Sequence, residues 1–174
     1  VKEHLLKELK DVSFKYQGSV MTDTHIKGFS DIDLLTICEK FYQPDKNNIK
    51  KLLENSEQRV KFFSSLPKLE KEVTGNSYQG NALDDLRNLR IDSENILKGK
   101  YTNCETKKPK SIKIKNLSLN REVDIVIANW YDDITSVIND KGEYRGIQVY
   151  NKETHSRGEA DYPFLSIKRI NERS

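Results

Sequence analysis

The segment Ser30-Asp31-Ile32-Asp33-Leu34-Leu35-Thr36-Ile37-Cys38 most narrows what this chain can become, because a largely apolar run opens with two carboxylates one residue apart. Such a run reads as a buried strand, and in a strand residues i and i+2 point to the same face. Asp31 and Asp33 then present their carboxylates to one place while Ile32 turns into the core. Two carboxylates so close repel each other unless a cation lies between them. Mg2+ is the natural partner, with Mn2+ as the alternative, since Mg2+ binds through one or two carboxylates and leaves positions for phosphate oxygens and water.

Two other segments extend this pattern. Phe14 and Tyr16 alternate with Lys15 and Gln17 in a strand that runs into a Gly18-Ser19 turn. Gly18 lets the backbone approach a triphosphate, and Ser19 adds N–H and hydroxyl donors at the start of a short helix, a favourable place for anions. Further on, the strand Arg121 to Ala128 places Val123 and Ile125 on one face and Glu122, Asp124 and Val126 on the other. If that strand lies beside the first, Asp31, Asp33 and Asp124 converge and can hold two metal ions about 4 Å apart, the arrangement for an in-line displacement at phosphorus.

The remaining periodicities predict an α+β domain over residues 1–174 with one mixed or antiparallel sheet. Leu5, Leu6 and Leu9 predict an opening amphipathic helix, Pro44 to Leu66 a helix stopped by Pro67, and Ala82, Leu86, Leu89, Leu97 and Tyr101 a second long helix. Ser111 to Lys115, the turn Asn116 to Asn120 and the strand from Arg121 form a hairpin, and Gly146 to Tyr150 is a further strand. The lysines 107, 108, 110, 113 and 115 read as a solvated hairpin edge, since no aromatic is interleaved to stack a base. Trp130 reads as core or rim, Glu39 as a surface charge, and His4, His25 and His155 lack metal-ligand spacing.

The stretch QGSVMTDTHIKGFSDIDLL followed by VDIVIA resembles the polymerase-beta-type nucleotidyltransferase superfamily, whose pattern is Gly-Ser, then Asp-x-Asp, then a third Asp. Thr24, Ile26, Gly28 and Ser30 ahead of Asp31, with the helix DDLRNLRIDSENILKGKY, make it similar to the branch of cyclic GMP-AMP synthase, bacterial cyclic-dinucleotide synthases and oligoadenylate synthetases. The resemblance implies a polymerase-beta-like fold, a mixed sheet carrying the carboxylates with packed helices. It implies a bacterial synthase of cyclic di- or oligonucleotides in antiviral defence, with NTP substrates, and leaves open whether a nucleic acid or a protein activates it. Two features depart from the branch. Ile127 stands where Pro is common after the third Asp, and the chain ends about where a helical lobe would begin, so a fragment lacking that lobe is expected.

Composition closes off other classes. Charged residues are 33% and apolar ones 35%, but eight Tyr and six Phe with regular aliphatic blocks argue against disorder. The net charge of +3 creates no whole-chain field for nucleic acid. Cys38 and Cys104 have neither zinc nor disulfide spacing, and no run is apolar enough to span a membrane, so a cytoplasmic protein is expected. The reading that follows is Mg2+-dependent transfer of a nucleoside monophosphate from NTP to a hydroxyl, releasing pyrophosphate. The alternatives are transfer onto a protein, tRNA or small molecule, and an inactive nucleotide sensor.

Overall fold

The computed structural model describes residues 1–18, 30–75, 78–116 and 121–165, and the side chains of Ser30, Asp31 and Asn116 lie outside that description. Ser19, Thr24, His25, Ile26, Gly28 and most of the turn after Asn116 fall outside it as well. Helix α1 (Lys2–Glu8) leads into strands β1 (Val12–Gly18) and β2 (Ser30–Pro44). Helices α2 (Lys46–Glu54), α3 (Ser56–Lys61), α4 (Leu66–Thr74) and α5 (Ala82–Lys100) follow. Then come β3 (Cys104–Glu105), β4 (Ile112–Asn116), β5 (Arg121–Asp132), α6 (Ile134–Ile138), β6 (Gly146–Asn151) and β7 (Ser156–Arg157).

Among the described residues the sheet has seven strands in the order β1-β2-β5-β4-β3, with β6 pairing both β5 and β7. The ladders β1–β2, β3–β4, β4–β5 and β6–β7 are antiparallel. Strands β2 and β5 are neighbours, and just past the end of β2 the Asp45 N–H donates to the carbonyl of Asp132, the last residue of β5, at 2.9 Å. Their ends coincide, so the two strands run in the same direction and the sheet is mixed.

The chain forms two compact units, the first comprising residues 1–41, 80–129 and 148–159. Its core is read directly from the strands. Leu34, Leu35, Ile37 and Cys38 are buried consecutively on β2 apart from Thr36, itself buried, as expected of a strand covered on both faces. Ile112 and Ile114 on β4, alternating with lysines, and Ile125 and Ile127 on β5, alternating with Asp124, Val126 and Ala128, fill one face. Helix α5 starts where the Asn81 side chain accepts from the Asp84 N–H at 3.1 Å, and Lys98 and Lys100 in its last turn complement the carbonyl end. Leu86, Leu89 and Leu97 face inward, as predicted, and α1 packs against α5 through Leu5, whereas Leu6 is half exposed.

Arg90 shares the buried face of α5 and is 1% exposed. Its guanidinium donates to Glu94 Oε1 at 3.0 Å and to the carbonyls of Thr106 at 3.1 Å and Lys108 at 2.8 Å, and Lys152 Nζ donates to the same Glu94 oxygen at 2.8 Å. Burial alone would raise the Glu94 pKa, but the hydrogen bonds from Lys152 and Arg90 outweigh it and hold the carboxyl below its ordinary value. The group thus pins the segment between α5 and β4 to the helix. Arg90→Leu is expected to cost about 1–3 kcal/mol, because backbone carbonyls lose buried donors, and urea unfolding followed by circular dichroism measures it.

The second unit comprises residues 42–79, 130–147 and 160–174. The predicted single helix from Pro44 to Leu66 is instead α2, α3 and a 3-10 turn at Phe63–Ser65, because Asn55 ends α2 and caps α3 by accepting from the Gln58 N–H at 3.0 Å. Pro67 is not a stop. It sits in the first turn of α4, where its missing N–H costs nothing. Ile49, Leu52, Leu66, Leu69 and Val137 form the unit's core, which packs α2 and α6 against α4.

This unit also buries a charge. Asp132 at the end of β5 is fully buried and receives both arms of Arg145 at 3.0 Å each and the Ser136 hydroxyl at 2.6 Å. Lys141 lies 3.7 Å from the same carboxylate, 3.2 Å from Glu72 and 4.0 Å above the Tyr42 ring. These contacts over-determine Lys141, whose φ of 68° falls in the left-handed region that non-glycine residues seldom occupy.

Candidate active site

The β1–β2 ladder sets Gly18 opposite Ile32 and Gln17 opposite Asp33. Gly18 is thus the last residue of β1, and the backbones of Asp31 and Asp33 stand at the head of β2, as the sequence predicts. Asp33 is half-buried, with a buried Gln17 across from it. Ser19 and the Asp31 side chain lie outside the described residues.

Asp124 is carried by β5, the neighbour of β2. The hairpin register fixes its surroundings, pairing Lys113 with Asp124, Lys115 with Glu122 and Ile112 with Ile125. One face of the hairpin is therefore isoleucine in the core, and the other carries Lys113, Lys115, Glu122 and Asp124. On that face Lys113 Nζ donates to Glu122 Oε2 at 2.9 Å and stands 3.9 Å from Asp124 Oδ1. The Glu122 hydrogen bond, aided by the charges of Asp124 and Glu122, raises the Lys113 pKa above its ordinary value, and Lys113 in turn lowers that of Glu122.

The sequence reading missed this. Lys113 is not part of a solvated edge, because β4 lies between β3 and β5 and the side chain is only 15% exposed. The predicted turn from Asn116 to Asn120 would have set Lys113 across from Val123, whereas the observed pairing of Asn116 with Arg121 shifts the register by one residue and sets it across from Asp124. The other readings fare differently. Trp130 is buried in β5, and Glu39 accepts from the Ser13 hydroxyl at the surface. His155 shares a hydrogen bond with the Tyr150 hydroxyl at 2.7 Å, and the His4 ring meets Tyr101 edge-on.

By donor chemistry Asp33 and Asp124 fit Mg2+, being hard carboxylate oxygens on adjacent strands. Among the described residues no group of three His, Cys, Asp or Glu side chains could hold a metal ion, and Asp31 is the further carboxylate that the pattern requires.

Comparison with known proteins identifies the family. No family model matches the chain. A c-di-GMP synthase of Capnocytophaga granulosa is 54% identical over 159 residues, covering 88% of this chain and 44% of that protein. A c-di-GMP synthase of a Lachnospiraceae bacterium is 44% identical over 176 residues, covering 100% of this chain and 50% of that protein. The solved structure of a STING-associated CdnE c-di-GMP synthase from Flavobacteriaceae sp. superposes with a TM-score of 0.82 at 36% identity, covering 99% of this chain and 48% of that one. The chain thus spans about half the length of the curated relatives it matches. With its strand order, its Asp-x-Asp strand and the third-Asp strand beside it, the chain belongs to the cyclic-dinucleotide-synthase (CD-NTase) branch of the polymerase-beta-type nucleotidyltransferase superfamily.

Proposed function

We propose that this chain is the nucleotidyl-transfer portion of a cyclic dinucleotide synthase, with c-di-GMP the first product to test. The observation that carries the reading is the placement of Asp33 and Asp124 on adjacent strands in a chain 54% identical to a c-di-GMP synthase. Asp31, Asp33 and Asp124 hold the divalent cations. When bound, these cations activate the attacking hydroxyl and neutralise charge on the triphosphate and the pyrophosphate leaving group. Gly18 ends its strand without a side chain to obstruct the phosphates, and Ser19 offers them donors. Carried on adjacent strands, Asp33 and Asp124 are set in place before substrate arrives, and such preorganisation supplies much of the rate in phosphoryl transfer. Signalling to a cyclic-dinucleotide receptor in antiviral defence fits the name of the STING-associated relative. Among the described residues no helix is long and apolar enough to cross a membrane.

The test is to incubate the full-length protein with each α-labelled NTP and Mg2+ or Mn2+, then treat with phosphatase and separate the products. A phosphatase-resistant cyclic dinucleotide supports the proposal. Label on a protein, tRNA or small molecule replaces it with acceptor modification, and tight nucleotide binding without turnover replaces it with sensing.

A further inference from the structure

Strand β5 bears a same-face carboxylate pair, because Glu122 and Asp124 are two residues apart, the spacing that Asp31 and Asp33 also have in the sequence. Glu122 is as accessible as its partner, at 22% against 21%, and has a longer arm with which to reach a nearby cation. Lys113 separates the roles of the two. It hydrogen-bonds Glu122 at 2.9 Å but stays 3.9 Å from Asp124, and its backbone is held in the strand by the buried Ile112 and Ile114 on the opposite face.

We propose that Lys113 is a positioning residue that selects the cation's ligands, sequestering Glu122 in an ion pair and leaving Asp124 to face the metal. The inference rests on Asp124 being a metal ligand. A fourth carboxylate would strengthen cation binding, since each hard anionic oxygen adds affinity. It would also draw the cation away from the line between the attacking hydroxyl and the phosphate, and small misplacements of reacting groups are costly to rate. Lys115 cannot take over the task. Its ammonium lies 3.8 Å from Glu122 but is half exposed, so solvent and salt screen it. Lys108 acts on Glu122 through its charge.

The experiment measures Mn2+ binding to the nucleotide-free, full-length protein by electron paramagnetic resonance, alongside kcat and KM for NTP. Lys113→Met is expected to bind Mn2+ about tenfold more tightly, because one cation is lost and Glu122 is released, while kcat falls. Glu122→Gln is expected to weaken Mn2+ binding, because Lys113 then turns to Asp124. The double variant should lose the gain seen in Lys113→Met. A merely structural lysine would not raise metal affinity on removal. Unchanged or weaker binding in a folded Lys113→Met, or a gain that survives in the double variant, overturns the proposal. If Lys113→Met does not fold, unchanged binding in Glu122→Gln overturns it instead. Failure of the metal reading looks different, because Mn2+ would then bind equally to wild type and Asp124→Ala, or to neither.

Discussion

Asp124→Ala is expected to abolish nucleotidyl transfer while leaving the protein folded. The side chain is 21% exposed on the polar face of the β4–β5 hairpin, so its removal takes nothing from the isoleucine face that holds the strands together. Lys113 keeps Glu122 as its partner, and no buried charge is stranded. What is lost is a carboxylate proposed to hold the cation. Altering groups that merely support a metal ligand costs about 10–100-fold, so losing a ligand should cost more than roughly 1000-fold in kcat/KM. Asp33→Ala should match it, since both are proposed to hold the same cations. Product formation is measured with labelled NTP and folding by thermal melting. Activity within tenfold of wild type in a folded Asp124→Ala protein would remove the chemistry from this strand.

Arg145→Ala is expected to produce a large loss of stability. Asp132 is fully buried, and Arg145 meets both of its oxygens at 3.0 Å while stacking 4.5 Å from the Trp130 ring and 5.8 Å from that of Tyr42. Alanine removes that contact and leaves a buried carboxylate with the Ser136 hydroxyl and the more distant Lys141. Breaking one side of a buried ion pair costs about 3–5 kcal/mol. Lysine should rescue little, because an ammonium cannot offer the two-pronged geometry or the planar stacking. Trp130 is the chain's single tryptophan and lies against Arg145, so its fluorescence during urea unfolding reads the change directly. A midpoint equal to that of wild type would show that Ser136 and Lys141 suffice for Asp132.

Local rules determined much of this protein from its sequence. The two-residue period of a strand dictated that Val123 and Ile125 oppose Asp124, and the inward leucines of α5 follow from the helical period. Those regularities depend only on neighbours along the chain. Elsewhere the sequence left two readings, and partners distant in the chain chose between them. Pro67 can end a helix or open one, and the break at Asn55 made it an opening. Arg90 looks like one more solvated charge until the carbonyls of Thr106 and Lys108 fold over it, and Lys113 looks like an edge lysine until β3 covers the outer side of β4. The adjacency of β2 and β5 is of the same kind. A strand's composition records that it is buried but not which strand lies beside it, and that choice is made by long-range pairing in the sheet, which here brought Asp33 and Asp124 onto neighbouring strands.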